Sequence, residues 1–302
     1  MTMNRRSLSP LLLTAVAVLV CTAPPLVAEG SPWLPAPGSG TITFSYVSQE
    51  ATDYERSERW RSMAGADSTT IQLAGTLGLD TVWINGTYGI SDALALDFQI
   101  GTSDSQYPGG GPKHPDKDDL SGLQDARAGL TWRFRDEVVT SGPSMALRFG
   151  AILAGDYDTG YINSLGDGGN GAEVSLLIGK YVGERGVLSA EVGYRYRSDD
   201  IPEDIILNLS AGVLVGERVG LSVGYRMTDG GSGLDIGVPP FSPARFPELQ
   251  EDIDLLYGTV NIGLTGSASL ALTYGDVIGG RNTPNSQVLG LSIGFTFGGG
   301  GF

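Results

Sequence analysis

The sequence predicts an all-β fold, a transmembrane antiparallel up-and-down β-barrel of about twelve strands, and three observations carry that expectation. Apolar and polar residues alternate with period two along most of the chain, so successive side chains belong on opposite faces of strands. The connections between alternating segments are by turns short and long, the pattern of a bacterial outer-membrane barrel whose long loops face out. A leader of the secretory kind precedes them all.

In that leader, Arg5 and Arg6 precede the apolar run Leu11 to Val20, and Pro24, Pro25 and Leu26-Val27-Ala28 lead up to Glu29. This is the layout of a signal peptide cleaved after Ala28. A lipid anchor on Cys21 is the rival reading, but Val20 stands where a small residue is wanted. The expected organisation is a signal peptide over 1–28, a short periplasmic lead over 29–39 and the barrel over 40–302, placed in the outer membrane of a Gram-negative cell. Beyond Ala28 no run of about 18 apolar residues occurs, so a helical span is excluded.

The strands then follow in order. The first alternating segment, near 40–48, is joined by a long connection to the second, near 79–90; a short turn at Ser91-Asp92 leads into the third, near 93–104. Segments near 121–135, 144–155, 172–183, 187–198, 204–216, 218–228, 254–265, 269–276 and 287–298 complete the set. The clearest are Ala126 to Arg135, Leu188 to Arg197 and Val219 to Met227, where one face is aliphatic or aromatic and the other carries Gly, Ser or charge. Long loops fall after the odd segments, the longest over 229–252. The stretch Ile71 to Asp80 either extends the second strand or supplies another hairpin, so ten or fourteen strands remain compatible with the count. With odd segments running outward, Phe98, Tyr196, Tyr225 and Tyr274 belong to an outer aromatic girdle. Tyr88, Trp132, Phe134, Phe295 and Phe297 belong to an inner one. A soluble β-sandwich would hide the apolar face and expose the charged one; here the polar face mixes small residues with opposite charges, which suits a crowded lumen.

Composition limits the chemistry. One Cys and one His in 302 residues leave no disulfide framework, no thiolate cluster and no site needing two imidazoles. A net charge of -15 opposes nucleic-acid binding. No nucleotide motif occurs, and neither a cofactor nor an enzymatic activity is expected. The expected partners are outer-membrane lipid and lipopolysaccharide, the barrel-assembly machinery and a small-molecule solute.

Several motifs resemble one family. Leu123-Gln124-Asp125-Ala126-Arg127-Ala128-Gly129 resembles the Gly-Leu-Gly-Asp strand of the outer-membrane transporter family named for the meta-pathway of phenol degradation, with Gln124 in place of the usual Gly. Tyr88-Gly89-Ile90-Ser91-Asp92 is similar to that family's Tyr-Gly-Leu-Thr-Asp hairpin, and Leu153-Ala154-Gly155-Asp156-Tyr157 stands where its members carry Pro-Thr-Gly-Asp. The resemblance implies an outer-membrane channel for aromatic or hydrophobic small molecules.

Alternation points Asp97, Gln99, Asp125, Arg127, Arg133, Arg148, Glu173, Glu191, Arg195, Arg197 and Arg226 into the lumen. Such residues either narrow a pore and orient a solute or pair across strands to fill the barrel, since an unpaired buried charge costs several kcal/mol. His114, between Lys113 and Pro115, reads as a surface-loop histidine rather than a general base. The acidic runs Asp116, Asp118, Asp119 and Asp199, Asp200, Glu203, Asp204 lack the EF-hand register and read as charged loops. Gly166 to Gly171 reads as a flexible loop, because no helix follows to make a phosphate cradle. Val238 to Pro247 either folds into the mouth or packs on the surface. Phe302 ends the chain like a barrel-insertion signal, although Gly298 to Gly301 shift its parity. The function expected is passive passage of small molecules; the alternative is a closed structural or adhesive barrel acting through acidic loops.

Overall fold

The computed structural model describes residues 30–108 and 118–298, so the leader, His114, Asp116 and Phe302 lie outside the described residues. The wall is built from β1 (Gly40–Glu55), β2 (Thr70–Ser91), β3 (Leu94–Gln106), β4 (Asp119–Leu123), β5 (Ala126–Arg135), β6 (Ser144–Leu153) and β7 (Gly171–Val182). It continues through β8 (Gly186–Arg197), β9 (Asp204–Val215), β10 (Val219–Gly230), β11 (Asp252–Gly263), β12 (Ala268–Arg281), β13 (Thr283–Pro284) and β14 (Gln287–Phe297). β4 and β5 both pair with β3, and β13 and β14 both pair with β1, so each couple is one interrupted wall strand. The result is a twelve-stranded antiparallel barrel, closed because β1 pairs with β2 along one edge and with β14 along the other.

The stretch Ile71 to Asp80 belongs to β2, which continues against β1 as far as Thr70 opposite Glu55, across a bulge between Ala51 and Asp53. A helix of about two turns, α1 (Glu58–Ala64), sits in the loop between them; Ser57 caps it by accepting from the Trp60 N–H at 3.1 Å.

Alternation translates directly into two faces. On β10, Leu221 and Val223 are exposed on the barrel exterior, while Gly224 is buried inside. Aromatic rings gather outside at both ends: Tyr88 stacks near Phe297 (6.5 Å between centroids) and Trp132 near Phe134 (5.7 Å) at the short-turn end. Toward the long loops, Tyr46 donates to Asp80 at 2.8 Å, and Tyr225 donates to Asp254. Phe98 departs from its expected girdle. It faces Gly86, one inward-outward repeat from the Tyr88–Leu96 pair, and so lies nearer the short-turn end.

The lead was expected as a short periplasmic segment, and its described part runs into the barrel instead. Gly38 and Ser39 continue the ladder with Gly89 at 2.9 Å, after which the chain crosses the short-turn mouth. Trp33 reaches the far wall, where its Nε1–H donates to Glu137 at 3.1 Å and its ring lies 5.2 Å from that of Tyr181. Gly179 leaves the space for it: a Cβ there would meet the Trp33 ring at 2.5 Å.

Lipid contact sets a test of the wall. Val223 is 53% exposed near the middle of β10. Val223→Arg is expected to lower folding stability by about 2–4 kcal/mol, as a cation does at the bilayer midplane, measured by urea titration of refolding into vesicles. Val139→Arg, in the short turn after β5 where Val139 is 82% exposed, is expected to leave the titration unchanged. Equal effects of the two would contradict the assignment of that face to lipid.

Candidate lumenal site

Inside the wall, charge is confined to one arc. Asp97 on β3, Arg127 and Arg133 on β5, Arg148 on β6, Glu173 on β7, Glu191, Arg195 and Arg197 on β8, and Arg226 on β10 occupy inward positions on neighbouring strands. Asp204, at the start of β9, joins them.

The lower part of this arc is a fused chain of ion pairs. Arg148, 2% exposed, donates from Nη2 to Asp97 at 2.6 Å and from Nη1 to Glu173. Glu173 also meets Arg195 at 3.4 Å, and Arg195 meets Asp204 at 3.5 Å. Room for these side chains comes from inward glycines. A Cβ on Gly129 would lie 2.6 Å from Arg148 and Asp97, and one on Gly150 would lie 2.6 Å from Glu173. Arg148 is therefore buried below the chamber rather than open to it. It is locked between two carboxylates, and the lead touches it, since a Cβ on Gly30 would stand 2.9 Å from its stem. Glu191 accepts from Asn208 at 2.6 Å in the same packed layer. Arg133 lies at the short-turn rim, where it meets Asp136 at 3.0 Å and the Asp92 carbonyl at 2.6 Å.

Above that layer the lumen opens into a chamber of about 480 Å³, into which Asp125, Arg127, Arg195, Arg197 and Arg226 project. Two loops roof it. The first, between β6 and β7, was read as flexible over Gly166 to Gly171, yet it is pinned by Asp125. One Asp125 oxygen accepts from the Gly155 N–H at 3.0 Å and the Tyr157 hydroxyl at 2.6 Å, and Tyr157 in turn accepts from Gly168 N–H at 3.0 Å. The other Asp125 oxygen faces Arg197 at 3.3 Å. Two motifs noted separately in the sequence, the Asp125 strand and Gly155-Asp156-Tyr157, thus meet in space. The acidic run at 199–204 is divided, because Asp204 turns inward to Arg195.

The second roof loop, between β10 and β11, folds into the mouth. Ile236 and Leu249 are buried with Tyr54, and Asn282 ties the loop's two ends by donating to Leu234 O at 3.2 Å and Gln250 O at 2.8 Å. Phe246, Pro247, Leu249 and Glu251 reach the chamber. Asp167 and Glu251, one from each loop, share this enclosed space. Burial, followed by the neighbouring Asp167 carboxylate, pushes Glu251 up to about 8, while burial pushes Asp167 up to about 6 against the pull of Arg197.

An outer membrane channel from Pseudomonas putida F1 is similar in structure, with a TM-score of 0.70 at 14% identity, covering 90% of this chain and 100% of its own. The NanC porin matches with a TM-score of 0.52 at 4% identity, over 84% of this chain and 98% of its own. The KdgM porin matches with a TM-score of 0.50 at 7% identity, over 85% of this chain and 99% of its own. The fold is that of outer-membrane β-barrels. No family model and no curated protein matches the chain, so the likeness to the meta-pathway family rests on its motifs.

Of the lumenal residues read from the sequence, the structure gathers Asp125, Arg127, Arg195, Arg197 and Arg226 around the chamber and sets Asp97, Arg148, Glu173 and Glu191 below it. Residues not singled out as lumenal are Asp167, Asp204, Glu251, Tyr157 and Trp83. Asp204 stands where alternation of β9 begins, a signal that was available; the loop residues carry no period to read.

Removing Arg148 would strand Asp97 and leave Glu173 with Arg195 alone. Arg148→Met is expected to cost about 3–5 kcal/mol, the scale for breaking a buried pair, in the same urea titration; a cost near zero would mean the pairs are solvated. A second outcome concerns pH. Because the Glu251 carboxyl titrates higher in the folded protein than its ordinary 4.5, the folded state holds the extra proton. The stabilisation is whole below about pH 4.5 and is lost as pH rises through about 8. The melting temperature is expected to fall between about pH 5 and 9, and to fall less in Glu251→Gln; parallel pH profiles would contradict this.

Proposed function

We propose that the chain is an outer-membrane channel through which small molecules, aromatic and hydrophobic compounds among them, pass down their gradients, of the kind represented by the meta-pathway transporter family. The observation that carries this reading is the solute-sized chamber inside a closed membrane wall, bounded by the packed Arg148 layer on one side and by two loops on the other. The signal peptide, the lipid-facing apolar surface and the similarity in fold to outer-membrane channels and porins support the same placement. Passage is passive in this reading, because the sequence holds no nucleotide motif to couple it to an energy source.

The packed layer around Arg148, together with the lead, favours a second reading, a closed barrel acting through its loops. The two differ in a single experiment. In the channel reading the lead is a movable obstacle, so deletion of residues 30–37 is expected to raise single-channel conductance in planar bilayers severalfold and to speed the entry of small aromatic acids into vesicles. A folded deletion variant with no conductance and no solute entry would establish the closed barrel.

A further inference from the structure

The chamber has two unlike walls, and the difference follows the order of strands around the barrel. From β11 through β12, β14 and β1 to β2, the strands facing the chamber present Leu255, Val277, Val288, Val47, Leu79 and Trp83. Val47, Leu255, Tyr257 and Val288 form one buried cluster, with Trp83 and Val277 packed against it. No strand of this arc directs a charged side chain into the chamber; Glu251 enters from the loop above β11. The opposite arc, from β5 to β10, supplies Arg127, Arg195, Arg197 and Arg226, with Asp204 among them and Asp125 just ahead of β5. A hydrophilic solute would leave the first wall wet, and a neutral hydrocarbon would strip water from the second without replacing its hydrogen bonds.

One guanidinium of this wall keeps a donor outside its ion pairs. Arg197, with its side chain 10% exposed, meets Asp125 at 3.3 Å and Asp167 at 3.9 Å through Nη1, yet its buried Nε–H has no acceptor. On the neighbouring arc the Tyr257 hydroxyl is buried and unpartnered; it lies over Gly224, two residues from Arg226 on the same inward face, where a Cβ would fall 2.0 Å from the hydroxyl. One of these donors thus stands in the middle of the arginine arc, on β8, and the other on β11, at the edge of the apolar arc.

We propose that the chamber binds an amphipathic monocarboxylate, its aromatic or aliphatic body against the Val47, Trp83, Leu255, Val277 and Val288 wall and its carboxylate on Arg127, Arg197 and Arg226. Such a ligand satisfies both walls at once: apolar area is buried on one side, and charge-assisted hydrogen bonds form on the other. The volume falls within the range of small-molecule sites, which are mostly apolar with a few convergent polar groups. This deepens the channel reading by naming the class of solute, and it rests on that reading for its physiological meaning.

The test is calorimetric titration of the full chain in nanodiscs with 4-phenylbutyrate, 4-phenyl-1-butanol and 4-phenylbutylamine, with empty nanodiscs as the blank. The carboxylate is expected to bind about tenfold or more tightly than the alcohol, a difference of about 1.4 kcal/mol, and the amine more weakly still. Arg226→Gln with Arg127→Gln is expected to erase the preference for the acid, while Val277→Asn weakens acid and alcohol together. Equal affinity of acid and alcohol in the wild type, which needs no variant to fold, would overturn the proposal, as would an undiminished preference in a folded arginine variant. Bilayer conductance of the lead-deleted protein separates the two levels of inference. Conductance without acid preference removes the ligand and keeps the channel; acid preference without conductance keeps the binding site and removes the channel.

Discussion

A backbone amide in hydrocarbon has no water to bond, and the rest of this structure follows from that constraint. An open sheet would leave two rows of unpaired groups facing lipid, so β1 must find β14 as well as β2. Once the circle closes, parity assigns every side chain of the wall either to lipid or to the interior. The aliphatic set faces lipid. What remains must fill a lumen of fixed circumference, and a lumen of charged groups at low dielectric is stable only when the charges pair. Arg148, held between Asp97 and Glu173, with Glu173 continuing to Arg195 and Asp204, is the form this pairing takes.

Most of the wall was legible because its rule is local. Period two requires no knowledge of the neighbours, and the strand carrying Val219 to Met227 declares its two faces by itself. The inward direction of all ten charged lumenal candidates followed from the same rule; which of them meet one another did not, because partners such as Arg148 and Asp97 are 51 residues apart. A trace of that information was present in the sequence. Gly129 and Gly150 sit on the inward parity, and an inward glycine marks where a neighbour's long side chain lies. The lead and the loops obey no such rule. Nothing in Ser31-Pro32-Trp33-Leu34 states whether it hangs outside or turns in, and Gly166 to Gly171 reads as slack chain until Tyr157 and Asp125 are seen to hold it.

The motifs that resemble a family gain a physical account from these contacts. Asp125 interrupts the wall between β4 and β5, and the break frees its carboxylate to accept from the loop that follows β6. A glycine at 155 is required there, since a Cβ would stand 2.0 Å from the Leu123 carbonyl. The Tyr88 to Asp92 segment turns β2 into β3 and offers the Asp92 carbonyl to Arg133. These residues set the roof and the rim, and Asp125 and Arg127 also line the chamber. A motif of this kind reports mainly on the scaffold, and the rest of the lining must be read from other positions.

Those other positions divide by strand order. An antiparallel barrel places sequence neighbours side by side, so residues with related tasks collect in one arc when they come from consecutive strands. The arginines come from β5, β8 and β10, all in the middle of the chain, and the apolar wall comes from its two ends, which closure brings together as β11, β12, β14, β1 and β2. Closure therefore does more than satisfy the backbone: by joining the first and last strands it assembles the apolar wall from pieces that lie more than 200 residues apart, as Val47 and Val288 do. The facing of an apolar arc and an arginine-rich charged arc across one chamber is a consequence of topology acting on a pattern that no single strand contains.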